Sequence, residues 1–226
     1  MREADILLKS AKAYERLINK EYLVTVGKNA KLKTYVLRFT PDEFKHLFGL
    51  HKLTDRPAIF RASSDHVFKE LLNNETRCVY IASSRDFPKI EQRVANIADL
   101  EQYIDIFDKM CDWDKLKAEI NIKADKMIQN VSVQNGSDKI CVFFKDDCIE
   151  SGAELRIGDI HIGDFNIEVP VSFIVDTRDY SKSLVRPAVV LYKEKHDLST
   201  GAKTVLLDEL SPQHKKPKKR NVDELS

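Results

Sequence analysis

The chain has few of the sequence features that mark common enzyme classes. It contains only 7 glycines and 4 cysteines. No G-x-G-x-x-G, phosphate loop or G-x-S-x-G elbow occurs, which argues against dinucleotide enzymes, NTPases and serine hydrolases. The scattered cysteines include no C-x-x-C pair, so neither a zinc knuckle nor a disulfide framework is indicated, and reduced thiols are expected. The cysteines are Cys78, Cys111, Cys141 and Cys148.

Long hydrophobic runs and an excess of one charge are also missing. No segment approaches the roughly 18 apolar residues that cross a bilayer, and the first apolar run, Ile6–Leu8, is too short for a signal peptide. A cytoplasmic protein without membrane contact is expected. The 37 basic and 36 acidic residues nearly cancel. Any contact with nucleic acid must therefore come from a local patch or from the tail.

The tail, residues 211–226, is the one strongly basic segment. It can neutralise RNA phosphates weakly and without sequence preference, or it can be a solvated, disordered end. Nuclear import is a third interpretation if the host has a nucleus. Residues 1–210 are expected to form a single domain, or a helix-rich lobe over 1–118 packed tightly on a β-rich lobe over 119–210. The basic residues of the tail are Lys215, Lys216, Lys218, Lys219 and Arg220.

The predicted elements change along the chain from helices to strands. Residues 2–20 have the period of an amphipathic helix, and Pro88 opens a long helical zone with a candidate division at Asp99. Hairpin turns are predicted at Gly27-Lys-Asn-Ala and at Asn135-Gly136. The other predicted elements are a helix from Ser64 to about Asn73 and the strands Tyr22–Val26, Lys33–Phe39, Arg77–Ala82, Ile120–Val133, Lys139–Lys145, Glu154–Ile162, Asn166–Val175, Pro187–Lys195 and Lys203–Leu207.

This order predicts an α+β fold. Helices in the first half would pack on a largely antiparallel β-sheet, and the strands of the second half would form an extended C-terminal β meander.

A helix start is predicted before the two histidines of the segment Thr40–Lys52. Thr40 and Glu43 have the spacing of a capping box, and Pro41 suits the first helical position. A helix over 41–50 is therefore expected. On such a helix His46 would lie roughly 200° around from the apolar face that Phe44 begins, so the core does not need it.

Two imidazoles and an ammonium group in this segment could support metal-free ribonuclease chemistry. A base takes the proton of the ribose 2′-hydroxyl, the hydroxyl attacks phosphorus, and an acid protonates the leaving 5′ oxygen. Cations stabilise the extra charge of the phosphorane. His46, His51 and Lys52 could supply these groups. The alternative is that both histidines are surface residues without a catalytic role.

A metal site is conceivable at one further place. Asp159, His161 and Asp164 place an acid and a histidine on one strand face. Since no second histidine or cysteine is near, a solvent-facing strand edge is favoured. We therefore expect no metal and no other cofactor.

The segment around the histidines resembles a known family. Phe44-Lys-His-Leu-Phe-Gly-Leu-His-Lys52 is similar to the Phe-x-His-Leu-x-Gly-Leu-His-Lys signature of the phage and mobile-element nuclease domains named after Barnase, EndoU, colicins and RelE, and most similar to the fourth subgroup. The resemblance spans roughly residues 5–195. Its other motifs are Ser83-Ser84-x-x-Phe87-x-x-Ile90-x-x-Arg93, Lys123-Ala-Asp125, Val171-Ser-Phe173 and Asp179-Tyr180.

The resemblance implies a BECR-like nuclease fold, in which a helix pair packs on a four-stranded antiparallel sheet, and the role of an RNase toxin or effector. It makes His46 and His51 the acid and base candidates, and it places Lys52 and Arg93 at the phosphate. It also implies that Ser172, on a late strand, orients the phosphate or a histidine. A second aromatic residue would be more usual where this chain has Ile174.

Each of the added residues also has a structural interpretation. Arg93 could be a surface arginine paired with Glu91 or Asp86, and Ser172 could be a polar group on a strand face. Tyr180 could stack on an RNA base or be an ordinary loop residue.

The sequence thus predicts a metal-independent endoribonuclease that leaves a 2′,3′-cyclic phosphate, with RNA as its partner and a protein inhibitor or immunity protein as a second one. The rival hypothesis is an inactive relative that binds RNA or a host protein.

Overall fold

The computed structural model describes residues 3–113, 124, 126–131, 139–150, 155–157, 160–162, 165–176 and 185–210. Its helices lie in the first half of the chain. They are α1 (Glu3–Ile18), α2 (Phe44–Leu47), α3 (Pro57–Arg61), α4 (Ser64–Asn73), α5 (Glu75–Ala82), α6 (Glu91–Ile97) and α7 (Leu100–Ile106). Short 3₁₀ turns cover Pro41–Glu43, Leu50–Lys52 and Phe87–Lys89.

The strands lie on both sides of the helical region. They are β1 (Lys20–Lys28), β2 (Lys31–Arg38), β3 (Lys109–Trp113), β4 (Lys126–Val131), β5 (Lys139–Glu150), β6 (Leu155–Ile157), β7 (Ile160–Ile162), β8 (Phe165–Asp176), β9 (Val185–Asp197) and β10 (Lys203–Asp208).

The main sheet closes on itself. Its strand order is β1-β2-β8-β5-β4-β3-β9-β10, and β1 also pairs with β9. This second pairing makes a closed barrel of seven strands with β10 as an extra strand. The barrel is mixed, because β2 and β8 run parallel while the other neighbours run antiparallel. Strands β6 and β7 form a separate two-stranded sheet.

The expected fold class, helices packed on a largely antiparallel sheet, was therefore wrong. Strand β9 is the physical reason. Its residue Val189 pairs with Gly27 of β1 and with Lys109 of β3, so these two strands lie on opposite edges of β9 and the sheet has no free edge there. Closure of this kind depends on pairing between distant segments and leaves no local pattern in a sequence.

One hydrophobic core joins the helices to the barrel. It contains Phe44 of α2, Val94 of α6 and the strand residues Phe144 and Phe173, all of them buried. The ring of Tyr14 in α1 lies within 6.1 Å, centroid to centroid, of four phenylalanine rings. Helices α2 and α6 both pack against β8. The barrel thus holds two separate helical segments in place beside one strand.

Several local predictions agree with the structure. The first helix and the β1–β2 hairpin form as expected, and the hairpin turns at Asn29 and Ala30, both with positive φ. The helical zone after Pro88 divides at Asp99, which precedes α7. No described helix is long and apolar enough to cross a membrane.

Two local predictions were wrong. Residues 77–82 form helix α5 instead of a strand, because Asn74 caps the helix by accepting a hydrogen bond from the Arg77 backbone N–H. Strand β3 starts at Lys109, where no strand was predicted between the helical zone after Pro88 and the strand expected from Ile120. The turn at Asn135-Gly136 and the tail over 211–226 lie outside the described residues.

Candidate active site

The histidine segment is not the single capped helix that its sequence predicts. Helix α2 is only four residues long and lies between two 3₁₀ turns. Within the described structure, the Thr40 hydroxyl makes no capping hydrogen bond. The hydroxyl of Ser64 takes this role instead: it accepts from the Lys45 backbone N–H at 2.9 Å and donates to the Pro41 carbonyl at 2.7 Å. A tertiary contact therefore replaces the predicted local cap.

Gly49 ends α2 and reverses the chain between the two histidines. Its φ of 74° lies in the left-handed region, which glycine adopts without steric cost. On a continuous helix, side chains five residues apart point about 140° away from each other. Here the rings of His46 and His51 stack, with centroids 4.7 Å apart and planes 14° apart. The break at Gly49 therefore brings the two imidazoles together.

Arg93 of helix α6 completes the group from a different part of the chain. A Cβ atom at Gly49 would lie 3.4 Å from the Arg93 Cδ and Nη1 atoms and 3.1 Å from the Ile90 Cγ2 atom. The missing side chain at position 49 therefore leaves room for the guanidinium group. We call His46, His51, Lys52 and Arg93 the histidine cluster. The structure brings together four of the five predicted catalytic residues.

The environment of His51 strongly disfavours its charged form. The pKa of His51 is lowered to about 4. Burial is the largest cause, and the nearby His46, Arg93 and Lys52 contribute to the same shift. The main chain of Lys45 acts in the opposite direction on this pKa, although no hydrogen bond of good geometry reaches the buried Nδ1 atom from the described residues. His51 is therefore neutral near pH 7.

His46 differs from His51 in having an acid nearby. Partial burial of the His46 ring lowers its pKa. The positive charges of Arg93 and Lys52 also lower this pKa, whereas the negative charge of Glu43 raises it. Glu43 itself accepts a hydrogen bond from the Lys145 ammonium group at 3.3 Å. The charged form of His46 is thus better stabilised than the charged form of His51.

The two cations of the cluster have no ion-pair partner among the described residues. Burial lowers the pKa of Arg93, and burial together with Arg93 lowers the pKa of Lys52. In the part of the chain that the structure describes, neither side chain makes an ion pair or a hydrogen bond. Asp86, one expected partner of Arg93, instead accepts from Thr54 and Lys89. A partly buried guanidinium without an anion favours binding of an anionic ligand.

Asp86 connects the two segments that carry the cluster. Asp86 is 5 % exposed, and its carboxylate accepts hydrogen bonds from the Thr54 backbone N–H at 3.0 Å, the Thr54 hydroxyl at 2.6 Å and the Lys89 ammonium at 2.6 Å. Thr54 follows the histidine segment directly, and Lys89 precedes helix α6. These bonds from Lys89 and Thr54 hold the pKa of Asp86 far below its usual range. Asp86 therefore positions Arg93 relative to the histidines.

Ser172 lies in β8, the strand against which α2 and α6 pack. It is opposite Phe143 of β5, and directly opposite residues of antiparallel strands share a face. Phe143 belongs to a small cluster with Cys111 and Met127, whereas Phe173 belongs to the core shared with the helices. The register puts Ser172 on the face of Phe143. Its role in catalysis stays a prediction.

The remaining predicted site residues lie outside the described ranges. These are Tyr180, Lys215, Lys216, Lys218, Lys219, Arg220, Asp159 and Asp164, while His161 lies in β7. Among the residues that the structure does describe, no three His, Cys, Asp or Glu side chains converge as a metal site would require.

Three residues of the site were missed by reasoning from the sequence. Gly49 makes the turn, Glu43 lies beside His46, and Asp86 joins the two segments. A glycine between two histidines could have indicated the turn, since helices commonly end at a left-handed glycine. Glu43 was assigned to a capping box, and no sequence pattern could have connected Asp86 with Thr54.

A comparison with protein families identifies the family of the chain. The family model described as phage-Barnase-EndoU-ColicinE5/D-RelE like nuclease4 matches residues 6–210. No curated protein and no solved structure matches the chain. The matched range includes the whole histidine cluster, and it confirms the resemblance found in Phe44–Lys52. The chain belongs to the phage-Barnase-EndoU-ColicinE5/D-RelE like nuclease4 family.

Proposed function

We propose that the protein is a metal-independent endoribonuclease that cleaves RNA at the histidine cluster. The ribose 2′-hydroxyl attacks the adjacent phosphorus, the bond from phosphorus to the 5′ oxygen breaks, and the products carry a 2′,3′-cyclic phosphate and a 5′-hydroxyl. One imidazole takes the proton of the 2′-hydroxyl and the other gives a proton to the 5′ oxygen. Arg93 and Lys52 stabilise the charge of the phosphorane.

The observation that carries this proposal is the uncompensated charge of the cluster. Two stacked imidazoles lie beside a partly buried guanidinium and an ammonium group, and among the described residues Glu43 is the one acid that acts on the pKa of a cluster histidine. A phosphate would supply the missing negative charge. It would also raise the pKa of both histidines towards the value at which acid and base catalysis is efficient.

The environments of the two histidines favour different roles. His51 has a pKa of about 4 in the free protein, so it is neutral and can accept the proton of the 2′-hydroxyl. Glu43 raises the pKa of His46, which suits the group that must hold a proton before it can donate one. We therefore assign His51 as the base and His46 as the acid.

The stacked arrangement is compatible with in-line attack. The entering and leaving oxygens lie on opposite sides of phosphorus in such a displacement. Rings that are parallel and 4.7 Å apart cannot enclose a phosphate between them. They can present their edges side by side, so that each imidazole reaches one of the two oxygens of a phosphate lying along the stack.

The family description also supports a biological role. It names phage proteins and colicins, which supports a toxin or effector of a phage or mobile element. We also propose a protein inhibitor as its partner. The described cysteines Cys78, Cys111 and Cys141 are free and buried, which supports action in the cytoplasm. Tyr180, Ser172 and the basic tail remain proposed RNA contacts.

The test is cleavage of RNA by the purified protein in the presence of EDTA. Mass spectrometry of the products should find 2′,3′-cyclic phosphate ends, and a single 2′-deoxy substitution at the cleaved position should abolish cleavage there. His46→Ala and His51→Ala should each reduce the rate by about 10²–10⁴, the usual contribution of an acid or base.

His66→Ala is the matched control, because this histidine is exposed on α4 and pairs there with Glu70. Its activity should equal that of the unchanged protein. Cleavage that survives in the His46→Ala/His51→Ala double variant would contradict the proposal.

A second candidate function is favoured by one observation. A base with a pKa of about 4 is far from the value near the operating pH that general base catalysis prefers. The same cluster could therefore bind an RNA phosphate without cutting. In that case the protein would retain RNA in a gel-shift assay at low salt, Arg93→Met would release it, and no cyclic phosphate would form.

A further inference from the structure

Two aromatic side chains are exposed on the helices that follow the histidine segment. Phe60 of α3 is 65 % exposed, and Tyr80 of α5 is 36 % exposed. Arg56 connects them. The Phe60 backbone N–H donates to the Arg56 carbonyl at 3.3 Å, so these two residues are one helical turn apart. The guanidinium carbon of Arg56 lies 4.7 Å from the centre of the Tyr80 ring. We call Phe60, Arg56 and Tyr80 the aromatic surface.

The Arg56 guanidinium group is fixed in its position against Tyr80. Its Nε atom donates to the Tyr80 carbonyl at 3.0 Å, and its Nη2 atom donates to the Ser83 hydroxyl at 3.1 Å. Its Nη1 atom donates to the Asp55 carboxylate at 3.0 Å. These bonds hold α3 and α5 together before any ligand is bound. A ligand that binds to groups already in place loses less free energy to ordering them.

The charge of this region favours an anionic ligand. The stretches 56–60 and 77–85, which carry the two rings, contain three arginines and no acidic residue. Two of these arginines pair with one acid each outside the stretches. The third, Arg85, is exposed and makes no ion pair with any residue that the structure describes. The stretches and their two acid partners together therefore carry a net positive charge.

The aromatic surface is joined to both ends of the histidine segment. The ammonium group of Lys45, the residue directly before His46, donates to the Phe60 carbonyl at 2.9 Å. Arg56 follows Lys52 by only four residues along the chain. A strand of RNA with one phosphate at the histidine cluster would thus have its neighbouring nucleotides beside these rings.

We propose that the aromatic surface binds single-stranded RNA next to the cleaved phosphate. An unpaired base stacks on the Phe60 ring, and a second base contacts Tyr80. Bases of a single strand can stack on aromatic side chains in this way, whereas those of a duplex are already stacked on each other. This inference rests on the proposed function, because the phosphate at the histidine cluster brings the strand to the rings. It adds that the substrate is unpaired at the cleavage site.

The experiment is a fluorescence anisotropy titration with two probes. One is a short single-stranded 2′-O-methyl RNA, which lacks the free hydroxyl that the proposed cleavage needs, and the other is the same strand annealed to its complement. The unchanged protein is compared with Phe60→Ala, Phe60→Leu and Phe60→Trp. Ile106→Ala is the matched control, because Ile106 of α7 is 55 % exposed and lies outside the aromatic surface.

Phe60→Ala and Phe60→Leu should each weaken binding of the single strand about fivefold or more, the usual loss for one stacked base. Phe60→Trp and Ile106→Ala should bind it as the unchanged protein does. Binding of the duplex should be weaker and should not depend on residue 60. All four variants should keep the melting temperature of the unchanged protein, since both side chains are mostly in solvent.

Equal affinity of Phe60→Ala and the unchanged protein for the single strand would overturn the inference. Full affinity in Phe60→Leu would also overturn it, because a protein partner needs an apolar side chain but a stacked base needs a ring. Arg93→Met separates this test from that of the proposed function. Unchanged binding in Arg93→Met would contradict a phosphate at the histidine cluster, whereas weaker binding in Arg93→Met with unchanged binding in Phe60→Ala would contradict the aromatic surface alone.

Discussion

The protein contains two groups of cations whose surroundings differ. In the histidine cluster, the pKa of Lys52 is lowered, first by burial and then by Arg93. Between α7 and β9, the ammonium group of Lys195 lies 2.7 Å from Asp105 and 3.2 Å from Glu101, and Glu101 also pairs with Lys20. Burial acts to lower the pKa of Lys195 as well, but Asp105 and Glu101 outweigh it and raise this pKa.

The difference separates a structural group of charges from a functional one. Lys20 and Lys195 both have an acid partner there, so the pairing holds a helix against a strand and leaves no demand for a ligand. Within the described ranges, Arg93 and Lys52 of the histidine cluster have no such partner. Its charges gain little for the folded protein by themselves, and a bound phosphate is what would stabilise them.

The largest expected effect, on RNA cleavage, comes from removing the positive charge of Arg93. Arg93→Met should reduce kcat for RNA cleavage by about 10²–10³, the usual loss when one group that stabilises transition-state charge is removed. Stability should not fall, because the guanidinium is partly buried and makes no ion pair with the described residues, and replacing buried charge by an apolar side chain of similar size is often neutral or favourable. Cleavage kinetics and urea unfolding measure the two effects.

Arg61→Met is the control for this substitution, since Arg61 is exposed on α3, and it should change neither quantity. If Arg93→Met instead unfolded the protein while activity per folded molecule persisted, the difference between the two groups of charges would be lost.

The next effect concerns pH and His51. Its folded pKa of about 4 lies below the unfolded value of about 6.5, so the unfolded chain binds more protons between these values. The free energy of unfolding should therefore fall as pH decreases from about 6.5 to about 4, by up to about 3 kcal/mol from this residue. Above about pH 6.5 the contribution is constant.

His51→Gln should remove that part of the pH dependence, while His66→Gln should keep it. The measurement is urea unfolding at several pH values, compared between the two variants so that the titration of carboxylates cancels. Parallel curves for both variants would show that His51 is not held in its neutral form.

The smallest effect is expected for the charges between α7 and β9, which are paired with acids. Glu101→Gln should lower the free energy of unfolding by about 1–2 kcal/mol, because Lys20 and Lys195 lose a charged acceptor that is only partly exposed. RNA cleavage should be unchanged at a temperature where the variant is folded. A large loss of activity with unchanged stability would contradict the structural role of this group.

Much of the secondary structure followed from local patterns. The period of residues 2–20 and the turn between β1 and β2 were recognised because they depend on neighbouring residues only. Residues 77–82 were misread because Val79 and Ile81 alternate as in a strand, while the cap from Asn74 favours a helix. Strand β3 was missed because pairing with β9 and β4 defines it.

The candidate site was predicted in its residues but not in its geometry. His46 was correctly placed off the apolar face, and Arg93 was included through the family motif. The mutual position of the two histidines was not predictable from a continuous helix, because it depends on the left-handed turn at Gly49. The connection through Asp86 joins segments that are 32 residues apart, a separation at which sequence patterns carry no distance information.

The sequence by itself determined which side chains are available for chemistry and which family the chain resembles, because these depend on residue identity and short spacing. The tertiary structure decided two further matters: the sheet closes into a barrel, and the imidazoles stack beside Arg93. Each of these depends on contacts between distant segments. Their free energy comes from packing and burial in the folded chain, which no local pattern records.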